Sequence, residues 1–192
     1  MKILLVAATN QEINNDLFSS KDILITGVGM MNTTLNLANK LSDTIYDLVI
    51  NMGIAGSFNS EIKIGDVVEV VEDIFSEIGF EDGDIFSEFT NFEIKNTFVV
   101  EGRTNLKKVK GITVNTVHGN QNSIDEIVSR VNPDIESMEG ASVFMVCNNF
   151  NVPCIQIRSI SNKVEKRNTE NWNLTLAIEN LNSTVKQLIS EL

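Results

Sequence analysis

The chain has 192 residues, of which 42% are hydrophobic, and its formal net charge at pH 7 is −11. A chain of this length buries enough apolar surface for one compact unit, so we expect a single domain over residues 1–192. The negative charge repels polyphosphates and acidic lipid headgroups, so we expect neither nucleic acid nor a membrane as a partner.

The N-terminal apolar run bears on cellular location, and the cysteines bear on disulfides and metal binding. The run over residues 3–8 is too short for a secretory signal or a membrane span, so we expect a cytoplasmic protein. Cys147 and Cys154 cannot form a multi-bridge framework, and a single histidine without a Cys-x-x-Cys pair excludes a familiar zinc site. We expect both thiols to be buried packing groups.

Short apolar runs rich in Ile and Val predict strands that are buried on both faces. These runs cover residues 3–8, 23–26, 48–51, 67–71, 112–117 and 154–160. Between them, apolar residues at helical spacing predict helices over residues 32–41, 123–131, 139–150 and 173–192. The alternation indicates an α/β fold, which we expect to be a three-layer α/β/α sandwich around a mainly parallel mixed sheet.

Local signals refine these boundaries. Ser123 followed by Glu126 is a capping-box pattern and predicts a helix start at Ser123. The 151–153 stretch, Asn-Val-Pro, separates a helix from the next strand. The 76–92 stretch is acidic and aromatic without clear periodicity, so we interpret it as a loop or a short excursion over the site.

Two glycine-rich turns follow predicted strands. The 27–29 turn, Gly-Val-Gly, is a weak match to a dinucleotide-binding loop because Asn32 occupies the third glycine position. A tight strand-to-helix turn is the alternative. The 51–57 stretch, NMGIAGS, allows a flat ligand to lie against the backbone at a carboxyl strand end, although small residues also pack well in an ordinary turn.

Four ordered segments carry a resemblance to a known family. They are residues 51–57 (NMGIAGS), 64–68 (IGDVV), 136–141 (ESMEGA) and 157–162 (IRSISN). Together they resemble the nucleoside phosphorylase-like superfamily, whose fold the chain is expected to share. The resemblance implies a small-molecule purine nucleoside as ligand, no metal and no organic cofactor. It also implies a homodimer or a larger homo-oligomer in which a neighbour helps to close the site.

The resemblance assigns the nucleoside-binding positions. It places Ile54, Ala55 and Gly56 beside the nucleoside, and it assigns Ser137 and Met138 to substrate binding, with Met138 at the sugar face. Glu139 is assigned to the ribose hydroxyls, where a carboxylate can accept hydrogen bonds and offset positive charge on the sugar. A first-turn acid stabilised by the helix dipole is the alternative for Glu139.

Glu12 and Arg158 are the residues that indicate whether water or phosphate is the nucleophile. Glu12 follows the first strand, where the resembling nucleosidases have an acid that activates water. Phosphorylases of the superfamily hold phosphate with an arginine near this loop, and no arginine occurs here before Arg103. That favours a hydrolase, in which the motif position of Arg158 implies that it orients the water or Glu12. A solvated loop acid is the alternative for Glu12.

Asn162 is the residue that indicates which purine is the leaving base. Adenine-specific nucleosidases have an aspartate at the corresponding place, whereas an asparagine amide donates hydrogen bonds to N7 and to a 6-oxo oxygen. We therefore expect a 6-oxopurine, with Ser161 supporting the base loop. His118 lies near this loop by family placement, but a lone histidine is more often structural, so we do not expect it to be a catalyst.

Residues 75–86, 116–120 and 158–172 resemble the futalosine hydrolase branch. This implies release of hypoxanthine from futalosine, an inosine-like nucleoside with a 5′ carboxyphenyl ketone, in menaquinone biosynthesis. Lys163, Lys166 or Arg167 could bind the distal carboxylate, unless this basic stretch is a solvated face. A methylthioadenosine/S-adenosylhomocysteine nucleosidase, a purine nucleoside phosphorylase and a non-catalytic nucleoside sensor remain open alternatives.

Overall fold

The computed structural model of the protein describes residues 1–83, 85–89 and 91–192. Asp84 and Thr90, which belong to the 76–92 stretch, lie outside the described residues. The strands are β1 (Ile3–Ala7), β2 (Asp22–Ile25), β3 (Leu48–Ser57), β4 (Val67–Phe75), β5 (Phe80–Asp82), β6 (Ile85–Ser87), β7 (Thr97–Val99), β8 (Lys107–Thr113), β9 (Ile135–Ser137) and β10 (Cys154–Lys163). The helices are α1 (Met30–Asp43), α2 (Gln121–Val131), α3 (Gly140–Phe150) and α4 (Leu174–Glu191), with a short 3₁₀ helix at Thr169–Asn171.

The main sheet is mixed and curls on itself. Its strand order is β10-β4-β8-β9-β3-β1-β2, and β7 pairs with β4. Because β10 also pairs in parallel with β3, the strands β10, β4, β8, β9 and β3 form a closed ring. The β10–β4 and β3–β9 pairings are antiparallel, whereas β1 is parallel to both β2 and β3. The ring brings the ends of β3, β9 and β10 together.

Helices cover both faces of this sheet. On β1, Leu4 and Val6 belong to a core cluster that contains Leu37 of α1 and Phe144 of α3. The alternate residues Ile3, Leu5 and Ala7 belong to a second cluster, which contains Leu181 and Val185 of α4. Side chains of a strand alternate between faces, so both faces of β1 are buried. This explains why the strand is continuously apolar in sequence.

Several predicted boundaries are wrong. Three strands are longer than predicted, since β3, β4 and β10 end at Ser57, Phe75 and Lys163 instead of at residues 51, 71 and 160. The strand predicted over residues 112–117 is β8, which begins at Lys107 and ends at Thr113. Its first four residues include three lysines, at positions 107, 108 and 110, and therefore lack the continuous apolar run that marks a strand buried on both faces. Helix α2 begins at Gln121, because the side chain of Asn120 accepts a hydrogen bond from the backbone N–H of Asn122 and caps the helix. The capping box at Ser123 does not form the helix start.

Two other predictions are confirmed, namely the burial of both cysteines and the tight turn at residues 27–29. Cys147 and Cys154 are both buried and unbridged. The 27–29 turn is a tight strand-to-helix turn, in which Gly27 and Gly29 have φ values of 82° and 94° that favour glycine. In the described part of the chain, none of the helices is long and apolar enough to cross a membrane. The cytoplasmic location expected from the sequence stays a prediction.

Candidate active site

A cavity of about 330 Å³ opens where β3, β9 and β10 end. It is lined by all of the predicted site residues except Arg158, namely Glu12, Ile54, Ala55, Gly56, Ser137, Met138, Glu139, Ser161, Asn162 and Lys163. Ligands of α/β sheets bind at such carboxyl strand ends. The structure therefore brings together residues that the sequence separates by up to 151 positions, from Glu12 to Lys163.

Glu12 is held in a fixed orientation at one end of the cavity. Its Oε2 accepts a hydrogen bond from the backbone N–H of Thr9 at 3.0 Å, and its Oε1 accepts one from the N–H of Ile54 at 3.2 Å. The side chain of Asn182 in α4 donates to the backbone carbonyl of Glu12 at 2.9 Å. The alternative of a solvated loop acid does not fit a residue that is 8% exposed.

Arg158 lies behind the cavity wall, with 1% of its surface exposed. Its Nη2 donates to Oδ1 of Asn51 at 2.7 Å, and its Nη1 lies 4.0 Å from Oε2 of Glu139. A Cβ atom at Gly53 would collide with Nη1 of Arg158 and would lie 2.9 Å from Oε1 of Glu12. Glycine at position 53 therefore lets the guanidinium and the Glu12 carboxylate approach the same piece of backbone.

Glu139 occupies the N-cap position of α3 but does not cap that helix with its side chain. Instead its Oε1 accepts a hydrogen bond from the backbone N–H of Gly29 at 3.0 Å. Burial raises the pKa of Glu139, while the positive charge of Arg158 and the Gly29 hydrogen bond oppose the rise. The carboxylate of Glu12 adds to it. Glu139 and Arg158 therefore belong to one buried electrostatic cluster with Glu12.

Asn162 is oriented by its neighbours at the other end of the cavity. Ser161 Oγ donates to Asn162 Oδ1 at 2.8 Å, and Asn162 Nδ2 donates to the backbone carbonyl of Lys163 at 2.9 Å. A carbonyl oxygen can only accept, so the amide nitrogen must face it. The pairing of β10 with β3 shifts register between Ile160 and Asn162. This irregularity lies at the point where the strand presents Asn162 to the cavity.

The cations predicted for a distal carboxylate have different environments. Lys163 lines the cavity, but its Nζ donates to the backbone carbonyl of Asn59 at 2.7 Å, and burial lowers the pKa of Lys163. The guanidinium of Arg167 lies 5.1 Å from the ring centroid of Trp172, and both residues line the cavity. Among the described residues, Lys166 is not part of the lining. Arg167 is therefore the best placed of the three.

Comparison with known proteins identifies the family of this chain. The model of the Phosphorylase superfamily matches residues 22–190. The chain belongs to that superfamily. A methylthioadenosine/S-adenosylhomocysteine nucleosidase from Marinomonas sp. (strain MWYL1) is 28% identical, and the match covers 90% of this chain and 82% of the relative. The family expected from the sequence is confirmed.

Solved structures share the fold of this superfamily member. One is a methylthioadenosine/S-adenosylhomocysteine nucleosidase from Helicobacter pylori with butyl-thio-DADMe-Immucillin-A, at a TM-score of 0.87 and 21% identity over 100% of this chain and 99% of that chain. Another is the futalosine hydrolase of Helicobacter pylori strain 26695, at a TM-score of 0.85 and 20% identity over 100% and 98%. The expected α/β nucleoside phosphorylase-like fold is confirmed.

Sequence reasoning missed several parts of this superfamily member's site. It did not identify Asn51 and Gly53, although both lie in the quoted 51–57 motif. It also missed Glu136, which together with His118 lines the cavity.

Conversely, the aromatic 76–92 stretch does not cover the site, because none of its described residues lines the cavity. Its strands β5 and β6 pair as an antiparallel hairpin instead. Within the described ranges, no cluster of three or more His, Cys, Asp or Glu side chains could hold a metal ion.

Proposed function

We propose that this chain is a purine-nucleoside hydrolase that cleaves the N-glycosidic bond of futalosine, releasing hypoxanthine and dehypoxanthine futalosine. The observation that carries the proposal is the buried cluster of Glu12, Arg158 and Glu139 at one end of the cavity, with Asn162 at the other. A nucleoside bound with its base toward Asn162 would place its sugar between the two carboxylates. Nucleosidase activity also fits the names of the relatives and structural neighbours.

The reaction is a displacement at the anomeric carbon by water. Glu12 accepts a proton from the water as its oxygen bonds to C1′, and the glycosidic electron pair leaves with the base. Glu139 accepts hydrogen bonds from the ribose hydroxyls and stabilises the positive charge that develops on the sugar. Asn162 donates a hydrogen bond to the departing hypoxanthine, which takes up a proton from solvent, and Glu12 returns the proton it accepted to solvent. Arg158 opposes the rise that burial causes in the pKa of Glu139 and so favours the ionised form of that carboxylate.

Water is favoured over phosphate by the charges around the sugar end. A phosphate bound there would face the Glu12 and Glu139 carboxylates. The nearby guanidinium of Arg158 is buried and already donates to Asn51. Because Arg158 is already engaged with Asn51 and Glu139, the two carboxylates suit a neutral nucleophile better than an anionic one.

Futalosine is favoured as the substrate by the donor at Asn162 and by the position of Arg167. An amide donor suits a 6-oxo group, and Arg167 with Trp172 offers a cation and an aromatic ring to a carboxyphenyl group. The second candidate is methylthioadenosine or S-adenosylhomocysteine, which the names of the curated relatives favour. These substrates carry a 6-amino group that would face the Asn162 amide donor.

A homodimer is part of the same proposal. Large apolar side chains are exposed around α1, namely Met31, Leu35 and Ile45. A second copy of the chain would remove them from water. Light scattering of the purified protein should give twice the monomer mass. A monomer mass at micromolar concentration would refute this part.

Incubation with futalosine in ¹⁸O-water, with and without added phosphate, tests the proposed chemistry. Futalosine should release hypoxanthine at the same rate with and without phosphate, and the sugar product should carry ¹⁸O at C1′. Phosphate-dependent release with ribose 1-phosphate as the sugar product would identify a phosphorylase instead. A protein that binds futalosine without releasing any base would fit the non-catalytic sensor.

A further inference from the structure

Buried Glu136 and partly buried His118 form a pair that the proposed reaction does not use. Glu136 is the central residue of β9, and His118 belongs to the loop between β8 and α2. His118 Nδ1 lies 2.6 Å from Glu136 Oε2, and the backbone N–H of His118 donates to Glu136 Oε1 at 3.1 Å. One carboxylate therefore fixes both the loop and the imidazole ring.

The pair lies across the cavity floor from Asn162. Gly56 of β3 pairs with Asn162 of β10 on one side and with Glu136 of β9 on the other. A Cβ atom at Gly56 would lie 2.9 Å from Val164 Cγ2, 3.2 Å from Asn162 Nδ2 and 3.6 Å from Glu136 Cγ, so these side chains converge beside Gly56. Two strand spacings, about 10 Å, separate the outer residues. Asn162, His118 and Glu136 all line the cavity, so a purine bound there can present one polar edge to Asn162 and another to the pair.

The carboxylate determines the hydrogen-bonding polarity of the imidazole. An ionised carboxylate only accepts, so the hydrogen must be on Nδ1 of His118. In the neutral ring this leaves Nε2 as an acceptor, directed away from Glu136. Within the described part of the chain Nε2 makes no hydrogen bond, and His118 lines the cavity. With a neutral imidazole, the site therefore presents a donor at Asn162 and an acceptor at His118.

We infer that His118, oriented by Glu136, recognises the base because its Nε2 accepts a hydrogen bond from N1–H of a 6-oxopurine. This inference rests on the proposed function and extends it. A 6-aminopurine has a lone pair at N1, so it would place an acceptor against an acceptor. His118 is thus a specificity-determining residue, and Glu136 is a positioning residue that sets the tautomer.

Glu136→Gln tests the inference because its amide can donate to Nδ1, which transfers the imidazole hydrogen to Nε2 and turns that atom into a donor. The ratio of kcat/KM for futalosine to that for its 6-amino analogue should fall by about tenfold or more. His118→Leu should also lower the ratio. The matched control is Glu77→Gln, since Glu77 accepts from the backbone N–H of Asn115 in the same loop but does not line the cavity. It should leave the ratio unchanged.

Calorimetric binding of free hypoxanthine and adenine separates this inference from the proposed function. Wild-type protein should prefer hypoxanthine, and Glu136→Gln should lose at least about tenfold of that preference, whether or not any nucleoside is cleaved. An unchanged preference in folded Glu136→Gln and His118→Leu proteins would overturn the inference. So would a wild-type protein that binds neither base. Failure of the proposed function alone would appear as base binding without base release.

Discussion

Nη1 of Arg158 lies 4.0 Å from Oε2 of Glu139, and both side chains are buried. The guanidinium opposes the rise that burial causes in the pKa of Glu139. Arg158 therefore acts on the carboxylate that would hold the ribose, in addition to the role near Glu12 that the sequence suggests. Losing this one cation leaves two carboxylates to repel each other in a buried site.

Arg158→Met should move the acid limb of kcat/KM to higher pH. Without the cation, the pKa of Glu139 rises further above its ordinary value, so the carboxylate is protonated at a higher pH as the pH falls. We also expect kcat/KM at its optimum to drop by about a hundredfold. Arg130→Met, which changes an arginine of α2 paired with Glu126, is the control. An acid limb that did not move would contradict this account of Arg158.

Glu12→Gln should reduce the rate of base release by about a hundred- to ten-thousandfold, because a neutral amide cannot accept a proton from water. Binding of a substrate analogue should change little, since the amide oxygen can still accept from the backbone N–H of Thr9 or Ile54. The control is Asp16→Asn, at an exposed acid of the same loop. Near-normal turnover of Glu12→Gln would remove Glu12 from the mechanism.

Asn162→Asp should move base preference toward 6-aminopurines. A carboxylate accepts from a 6-amino group and repels a 6-oxo group, which reverses the polarity of this edge of the site. The measurement is the ratio of kcat/KM for futalosine to that for methylthioadenosine. Asn171→Asp, outside the cavity, should leave the ratio unchanged. If Asn162→Asp also left it unchanged, discrimination through Asn162 would have to be abandoned.

Asp73→Asn should change how stability depends on pH. Asp73 is buried, accepts from Thr113 Oγ1 at 2.8 Å and from Gln156 Nε2 at 2.7 Å, and burial raises its pKa to about 6. A carboxyl with a raised pKa stabilises the fold below its unfolded pKa, and this stabilisation is lost as pH rises through the folded value. The free energy of unfolding should therefore lose roughly 1 kcal/mol from this group between pH 5 and pH 7.

Urea unfolding of wild type and Asp73→Asn at several pH values measures this difference. Other titrating groups contribute equally to both proteins, so the gain of the variant relative to wild type should grow between pH 5 and pH 7. A difference in unfolding free energy that stays constant over this range would show that Asp73 does not titrate there.

Much of the site was predictable because its residues lie in local motifs at strand ends. The 51–57 and 157–162 segments follow apolar strands, and such ends converge in an α/β fold. Sequence gave no sign that Gly53 provides the space for Arg158 beside Glu12, because that contact joins positions more than a hundred residues apart. Asp73 carried no signal either, since its partners Thr113 and Gln156 come from other strands of the closed ring.

The interpretation of residues 76–92 as an excursion over the site is wrong for a different reason. Its phenylalanines are compatible with stacking on a ligand, but composition cannot say which surface an aromatic residue contacts. Phe80 and Phe89 contact each other, with ring centroids 5.2 Å apart. Phe75, at the end of β4, packs edge-on against Phe98 of β7 at 5.8 Å. The aromatic signal therefore reports packing within and beside the hairpin.

Competition between bases tests the central claim most directly. Equal concentrations of futalosine, its 6-amino analogue and methylthioadenosine are incubated with the protein in phosphate-free buffer, and the released bases are separated and quantified. The account predicts that hypoxanthine is the dominant base at early times. Dominant release of adenine, or release of no base at all, would contradict it.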